Sequence, residues 1–227
     1  MVAKKYGWDN YLIIENEFIE AKKYLSFERQ VNFETDSPFF HNEIVLLGSL
    51  VEIAIKKLIE FEKPDNKFAP DKISDYRRLL LFLFPDIEKY YSTLIYSDII
   101  LKPFEGWSKN RLKWWEAYSS IKHGSSRLPK LEHALNLLSA YEIILHLIHF
   151  EEAKLAGDKY IFYQFTEMPR LLDFGFRSLV SSTGIIGYGF NANQYKICDD
   201  KTCLQQLIDI IKEERSEKNG SDNKVNM

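Results

Sequence analysis

The sequence predicts a mainly α-helical fold: an antiparallel helical bundle with a C-terminal extension that ends in a final helix. Three observations predict it. From Tyr11 to Ile148 apolar residues return at steps of three and four, the period of a helix that buries one stripe. Proline, glycine and serine cluster between these runs, where a helix must stop. Strand-like texture begins only beyond Asp158.

The elements follow in order. Tyr11, Ile14, Phe18, Ala21 and Leu25 mark a first helix. Asp36-Ser37-Pro38 supplies a break, an N-cap and a proline for a first turn. A long helix then runs from about Phe39 to Phe61, with Ile44, Leu47, Val51, Ala54, Ile55 and Leu58 on one face. Val45, Leu46 and Leu50 widen that stripe, so this helix is expected to be central and packed on several sides. Residues 63–71, with Pro64 and Pro70, read as a loop.

Ser74 is placed to cap a helix through Tyr76, Leu79, Leu80 and Leu83 that ends at Pro85, and another is expected from Asp86 to about Ile99. Pro103 and Gly106 exclude regular helix over Leu101–Ser108. A helix from about Arg111 to Lys122 halts at Gly124, a C-cap residue. Pro129 opens a helix through Leu131, Leu135, Leu138, Tyr141, Leu145 and Ile148, ending before Gly157. In the extension, Tyr160–Phe165 reads as a strand, and Gly184, Gly187 and Gly189 mark a hairpin or an irregular loop. A short helix spans Thr202–Arg215, and the polar stretch 216–227 reads as a disordered tail. The organisation expected is a bundle over 1–157, an extension over 158–215 packed on it, and the tail.

Composition excludes several classes. The 227 residues need no disulfide or metal staple, and Cys198 and Cys203 alone cannot make a four-ligand zinc site. Both are read as reduced thiols. The N-terminal stretch has no secretory h-region, and the longest apolar run, Ile44–Ile55, is too short for a membrane span, so a cytoplasmic protein is expected. GxGxxG, a Walker lysine and GxSxG are absent, which removes the usual dinucleotide, kinase and hydrolase readings.

The charge distribution is uneven. Seven Lys/Arg between Leu101 and Lys130 face two glutamates, a net of +5 in a chain whose total is −3. Such a segment marks either an anionic partner or a solvated helix face. Within it lies His123, in Trp114-Trp-Glu-Ala-Tyr-Ser-Ser-Ile-Lys-His123, where cations for a phosphate and rings for stacked bases stand together. An imidazole titrates near neutrality and can relay a proton, though at a helix end it also serves the dipole. Glu142, His146 and His149 have a helical spacing compatible with metal ligation, but leucines crowd the same turn and no metal is expected. Glu52, in an apolar helix, calls for a partner: Lys56, or a cation from the basic segment.

The chain resembles prokaryotic members of the HEPN superfamily that carry a Trp-x-x-Tyr-Asn-x-(Ile/Val)-Lys-His signature. The matching residues are Trp115, Tyr118, Ile121, Lys122 and His123, preceded by Leu101–Trp107 and followed by Ala134–Ala140. Upstream, Ser49–Lys56 is similar to the family's second helix, so the likeness covers about residues 10–155.

The resemblance implies an all-α bundle, homodimers, and RNA association in defence or stress systems. It also implies, in active members, a metal-independent endoribonuclease without a cofactor. It points to His123 as the catalytic histidine, with Arg127 and Lys122 as the nearby cations that would stand in for the family's arginine. Arg111, Lys113, Trp114, Trp115, Tyr118 and Ser119 would contact RNA. The sequence departs from the pattern in two places. The family's Arg, five to seven positions before His, is here Tyr118, Ala117 or Glu116, and Ser119 replaces Asn. A degenerate relative that binds RNA without cleaving it is the second reading, and a non-catalytic helical dimerisation or interaction scaffold is the alternative.

Overall fold

Two 25-residue helices, α2 (Pro38–Glu62) and α5 (Leu131–Leu155), pack along each other and organise the core. They begin side by side: Asp36 bridges Lys130, and the Leu131 N–H donates to the Thr35 carbonyl at 2.9 Å. The helix α1 (Trp8–Ala21) lies against α5, and α3 (Ile73–Leu83) and α4 (Lys113–Lys122) against α2. A last helix, α6 (207–214), buries Ile208 and Ile211 and ties Glu214 to Arg78 at 2.8 Å. The structure is a computed structural model that describes residues 6–62, 72–124, 129–155, 162–163, 169–174, 178–182, 185–189 and 207–214. Residues 63–71, Cys198, Cys203 and the 216–227 tail lie outside the described residues.

Local signals act as the sequence predicts in several places. The Ser37 hydroxyl accepts the Phe40 N–H at 3.2 Å, with Pro38 opening α2. Gly124 has φ +75°, a left-handed conformation that lets the chain leave α4 without Cβ strain. Ser74, by contrast, is not a cap: α3 starts after Lys72 and no side chain caps it.

The helix α2 is packed by α3, α4 and α5 as expected, but α5 is the more completely covered of the two. Every residue from Leu137 to Phe150 is buried, whereas Leu46 and Ile53 of α2 are 44% and 53% exposed. An apolar count overstated α2 because it cannot say how many sides of a helix are covered. The expected helix over Asp86–Ile99 is also corrected. A short 3-10 turn (Ile87–Lys89) leads into the strand β1 (Ser92–Leu94), which pairs with β2 (Ile100–Leu101).

The other edge of β1 is taken by β4 (Leu172–Phe174), so a partner some eighty residues away decides the local structure. This sheet packs on α5, where the Ser92 hydroxyl donates to buried Glu142 at 2.6 Å. In the extension β3 (Phe162–Tyr163) pairs with β6 (Ile185–Gly189), which forms a hairpin with β5 (Ser178–Ser182).

One helix contact sets a pH dependence. Glu43 of α2 is 5% exposed beside Glu17 of α1, and burial, then the neighbouring carboxylate, push its pKa up to about 7. The folded state therefore keeps a proton that the unfolded chain releases near its ordinary 4.5. That contribution to stability is complete below the unfolded value and is lost as pH rises through the folded one. Replacing Glu43 by Gln is expected to raise stability by about 1–3 kcal/mol at mildly alkaline pH and to change little near pH ~4. Urea titrations at the two pH values check this, and equal effects at both would exclude it.

Candidate functional site

The signature helix α4 is held in place by the same residues that define the signature. Trp114 is buried, donates its indole N–H to the Pro103 carbonyl at 2.6 Å, and meets Phe104 edge-on at 6.1 Å. Tyr118 is buried against α2, and its hydroxyl donates to Glu52 at 2.9 Å and lies 3.4 Å from the Ser49 hydroxyl. Neither ring is presented to a nucleic acid strand, which corrects the expectation for both. In a chain with 33 aromatic side chains out of 227, much of this aromatic signal belongs to packing.

Lys122 is engaged as well. Its ammonium lies 3.3 Å from Glu52 and 3.1 Å from the Tyr118 hydroxyl, and the tyrosine hydrogen bond, then the carboxylate, raise its pKa. Glu52 thus finds its partner in the basic segment and not in Lys56. His123 closes α4 as its C-cap residue, exposed, with its N–H donated to the Ser119 carbonyl at 3.1 Å. Arg127 lies outside the described residues.

The net +5 of the segment does not form a uniform positive face. Lys102 pairs with Glu105 at 3.3 Å, Lys113 with Glu132 at 3.9 Å, Lys130 with Glu34, and Lys122 with Glu52. Three of these carboxylates come from outside the segment. Opposite charges at such separations cancel much of each other's field at a distance.

Arg111 is different. It stands on the wall of a cleft of about 770 Å³ that runs along α4 to the start of α3. Lys72, Ser74 and Arg77 line it from α3, and Trp115, Glu116, Ser119 and Ser120 from α4. Among the described residues Lys72, Arg77 and Arg111 form no ion pair, and Glu116 is the one carboxylate that lines the cleft. Trp115 is half-buried, edge-on to Tyr118 at 5.6 Å and tilted against Tyr76 at 6.2 Å. His123 is not on the wall, but it follows Ser119 and Ser120 by one helical turn at the end of the same stripe.

The site brings together Arg111, Trp115 and Ser119 of the predicted residues. Lys113 lines a second cleft of about 640 Å³ next to its partner Glu132, with Lys102 and Glu105 as a further pair, and Arg111 borders this cleft as well as the first. Sequence reasoning missed Lys72 and Arg77. The only signal was a cation before and after the first turn of α3, which gives no indication of what faces it.

The buried polar residues of α5 do other work. Glu142 lies 4.0 Å from His146, whose ring stacks on Phe174, while the His149 Nε2 is 3.0 Å from the Tyr6 carbonyl oxygen. Among the described residues no three or more His, Cys, Asp and Glu are grouped to hold a metal, and no helix is long and apolar enough to cross a membrane. Compared with known proteins, the chain matches no family model, and no curated protein and no solved structure is significantly similar to it.

Proposed function

We propose that the protein binds single-stranded RNA in the cleft between α3 and α4, as an RNA-associated helical protein of HEPN type. The observation that supports this most is the trio Lys72, Arg77 and Arg111, without ion pairs among the described residues and beside the half-buried Trp115. Guanidinium and ammonium groups neutralise phosphates, and an indole offers a surface on which any base stacks, which gives affinity with little sequence preference.

Binding without cleavage is favoured over nuclease action. Lys122, the cation beside His123, is already committed to Glu52 and Tyr118. A transition-state phosphate needs a donor that is preorganised toward it and not toward a neighbouring carboxylate.

The test is anisotropy of a labelled single-stranded oligoribonucleotide in EDTA. Affinity is expected to fall at least tenfold between about 50 and 200 mM salt, since about three phosphate contacts release that many counterions. Arg111→Ala is expected to weaken binding about tenfold, and His123→Ala to leave it within about twofold. Absence of binding, or binding indifferent to Arg111, overturns the proposal. Cleavage in EDTA that disappears with His123→Ala would replace it by the endoribonuclease reading.

A further inference from the structure

We infer that the α3 end of this cleft is a subsite for a terminal phosphate monoester, so that the protein selects RNA ends over internal positions. The inference rests on the RNA reading for the rest of the strand, but the subsite itself rests on charge and geometry at one place. Among the described residues, three cations without ion-pair partners, Lys72, Arg77 and Arg111, and a single carboxylate, Glu116, line one cleft. An internal phosphodiester brings one negative charge, whereas a monoester brings between about 1.5 and 2 at neutral pH. The surplus of two positive charges on the wall matches the monoester.

Four cations elsewhere around α4 are compensated, since Lys102, Lys113, Lys122 and Lys130 each have a carboxylate, whereas the exposed Lys109 has no ion pair among the described residues.

The backbone adds to it. The helix α3, of 11 residues, opens at the cleft with Lys72 in extended conformation and no side-chain cap. The Asp75 and Tyr76 N–H groups donate to the Lys72 carbonyl at 2.9 and 3.3 Å, while those of Ile73 and Ser74 precede the first intrahelical bond. These donors, the Ser74 hydroxyl and the positive end of the dipole suit an anion with three terminal oxygens. Asp75, the carboxylate of that turn, is buried and is not part of the cleft wall. Trp115 lines the same cleft, where the terminal base can stack, and Ser119 and Ser120 continue along it for the sugar. A cleft of about 770 Å³ holds one or two nucleotides and not a duplex.

The experiment compares oligoribonucleotides of one sequence, about eight nucleotides long, ending in a 5′-phosphate, a 3′-phosphate or hydroxyls at both ends, against the full chain in EDTA. Adenosine monophosphate is titrated separately. One or both phosphorylated strands are expected to bind at least about tenfold tighter than the hydroxyl strand, and Arg77→Gln to remove that preference. Lys72→Gln, at an exposed position without an ion pair, is expected to reduce the preference without a change in thermal stability, which guards against a folding effect at Arg77. Equal affinity for all three strands overturns the subsite and leaves RNA binding standing. Binding of the mononucleotide with none of any strand supports the subsite and removes the RNA reading, and no binding of any probe removes both.

Discussion

Gly48→Ala is expected to destabilise the protein by about 2–3 kcal/mol, although at an open helical position the same change gains about 1 kcal/mol. The sign reverses because of what faces Gly48. A Cβ built there would lie under 3.0 Å from three carbons of the Tyr118 ring. That ring cannot retreat cheaply: it is buried, its hydroxyl is bonded to Glu52 at 2.9 Å, and Trp115 packs on it edge-on. The added methyl must push α2 and α4 apart or break the Glu52–Tyr118–Lys122 cluster. Urea denaturation measures the loss. In a double-mutant cycle with Tyr118→Ala the two costs should be far from additive, since the clash vanishes with the ring. Additive costs, or a stabilised Gly48→Ala, would show that the contact between the helices is not this tight. The same variant should weaken RNA binding, because Trp115 and Ser119 ride on α4.

Glu15→Ala is expected to cost about 3–4 kcal/mol and to loosen β4 ahead of the bundle. Glu15 is fully buried on α1, and its Oε1 accepts the N–H groups of Arg170, Leu171 and Leu172 at 2.9, 2.8 and 3.4 Å. Tyr11 donates to the same oxygen at 3.3 Å. Loss of the carboxylate leaves buried backbone donors without an acceptor, in a segment whose Leu171 and Leu172 are themselves in the core. Hydrogen exchange should show protection falling first at Leu171 and Leu172, with α5 still protected. Glu15→Gln retains an acceptor oxygen and is expected to cost clearly less. If Glu15→Ala stays within about 1 kcal/mol of the parent, the segment is anchored by something else.

The candidate site was legible in part. Trp115 and Ser119 share a wall because residues four apart on a helix share a face, which a sequence displays directly, and Arg111 joins them from just before α4. Trp114 and Tyr118 looked equally suitable as stacking rings, yet they point into the protein, and the Lys122 charge is shared with Glu52. Periodicity can sort residues into faces but cannot say which face meets water when both carry aromatic rings. Lys72 and Arg77, cations around the first turn of α3, gave no sign of what faces them, since they join the site only when α3 comes alongside α4.

The amino-acid order alone settled where most helices run and how several of them end. Those features depend on neighbours within about one turn: the stripe of α2, the Ser37 cap and the left-handed Gly124. Packing between distant segments decided the rest. It made α5 the most completely covered helix, turned Ser92–Leu94 into a strand by supplying β4, and cancelled four of the basic segment's charges with carboxylates, three of them from outside the segment. Burial, strand pairing and Coulomb energy all depend on distances through space, and a linear count of residues holds no record of those distances.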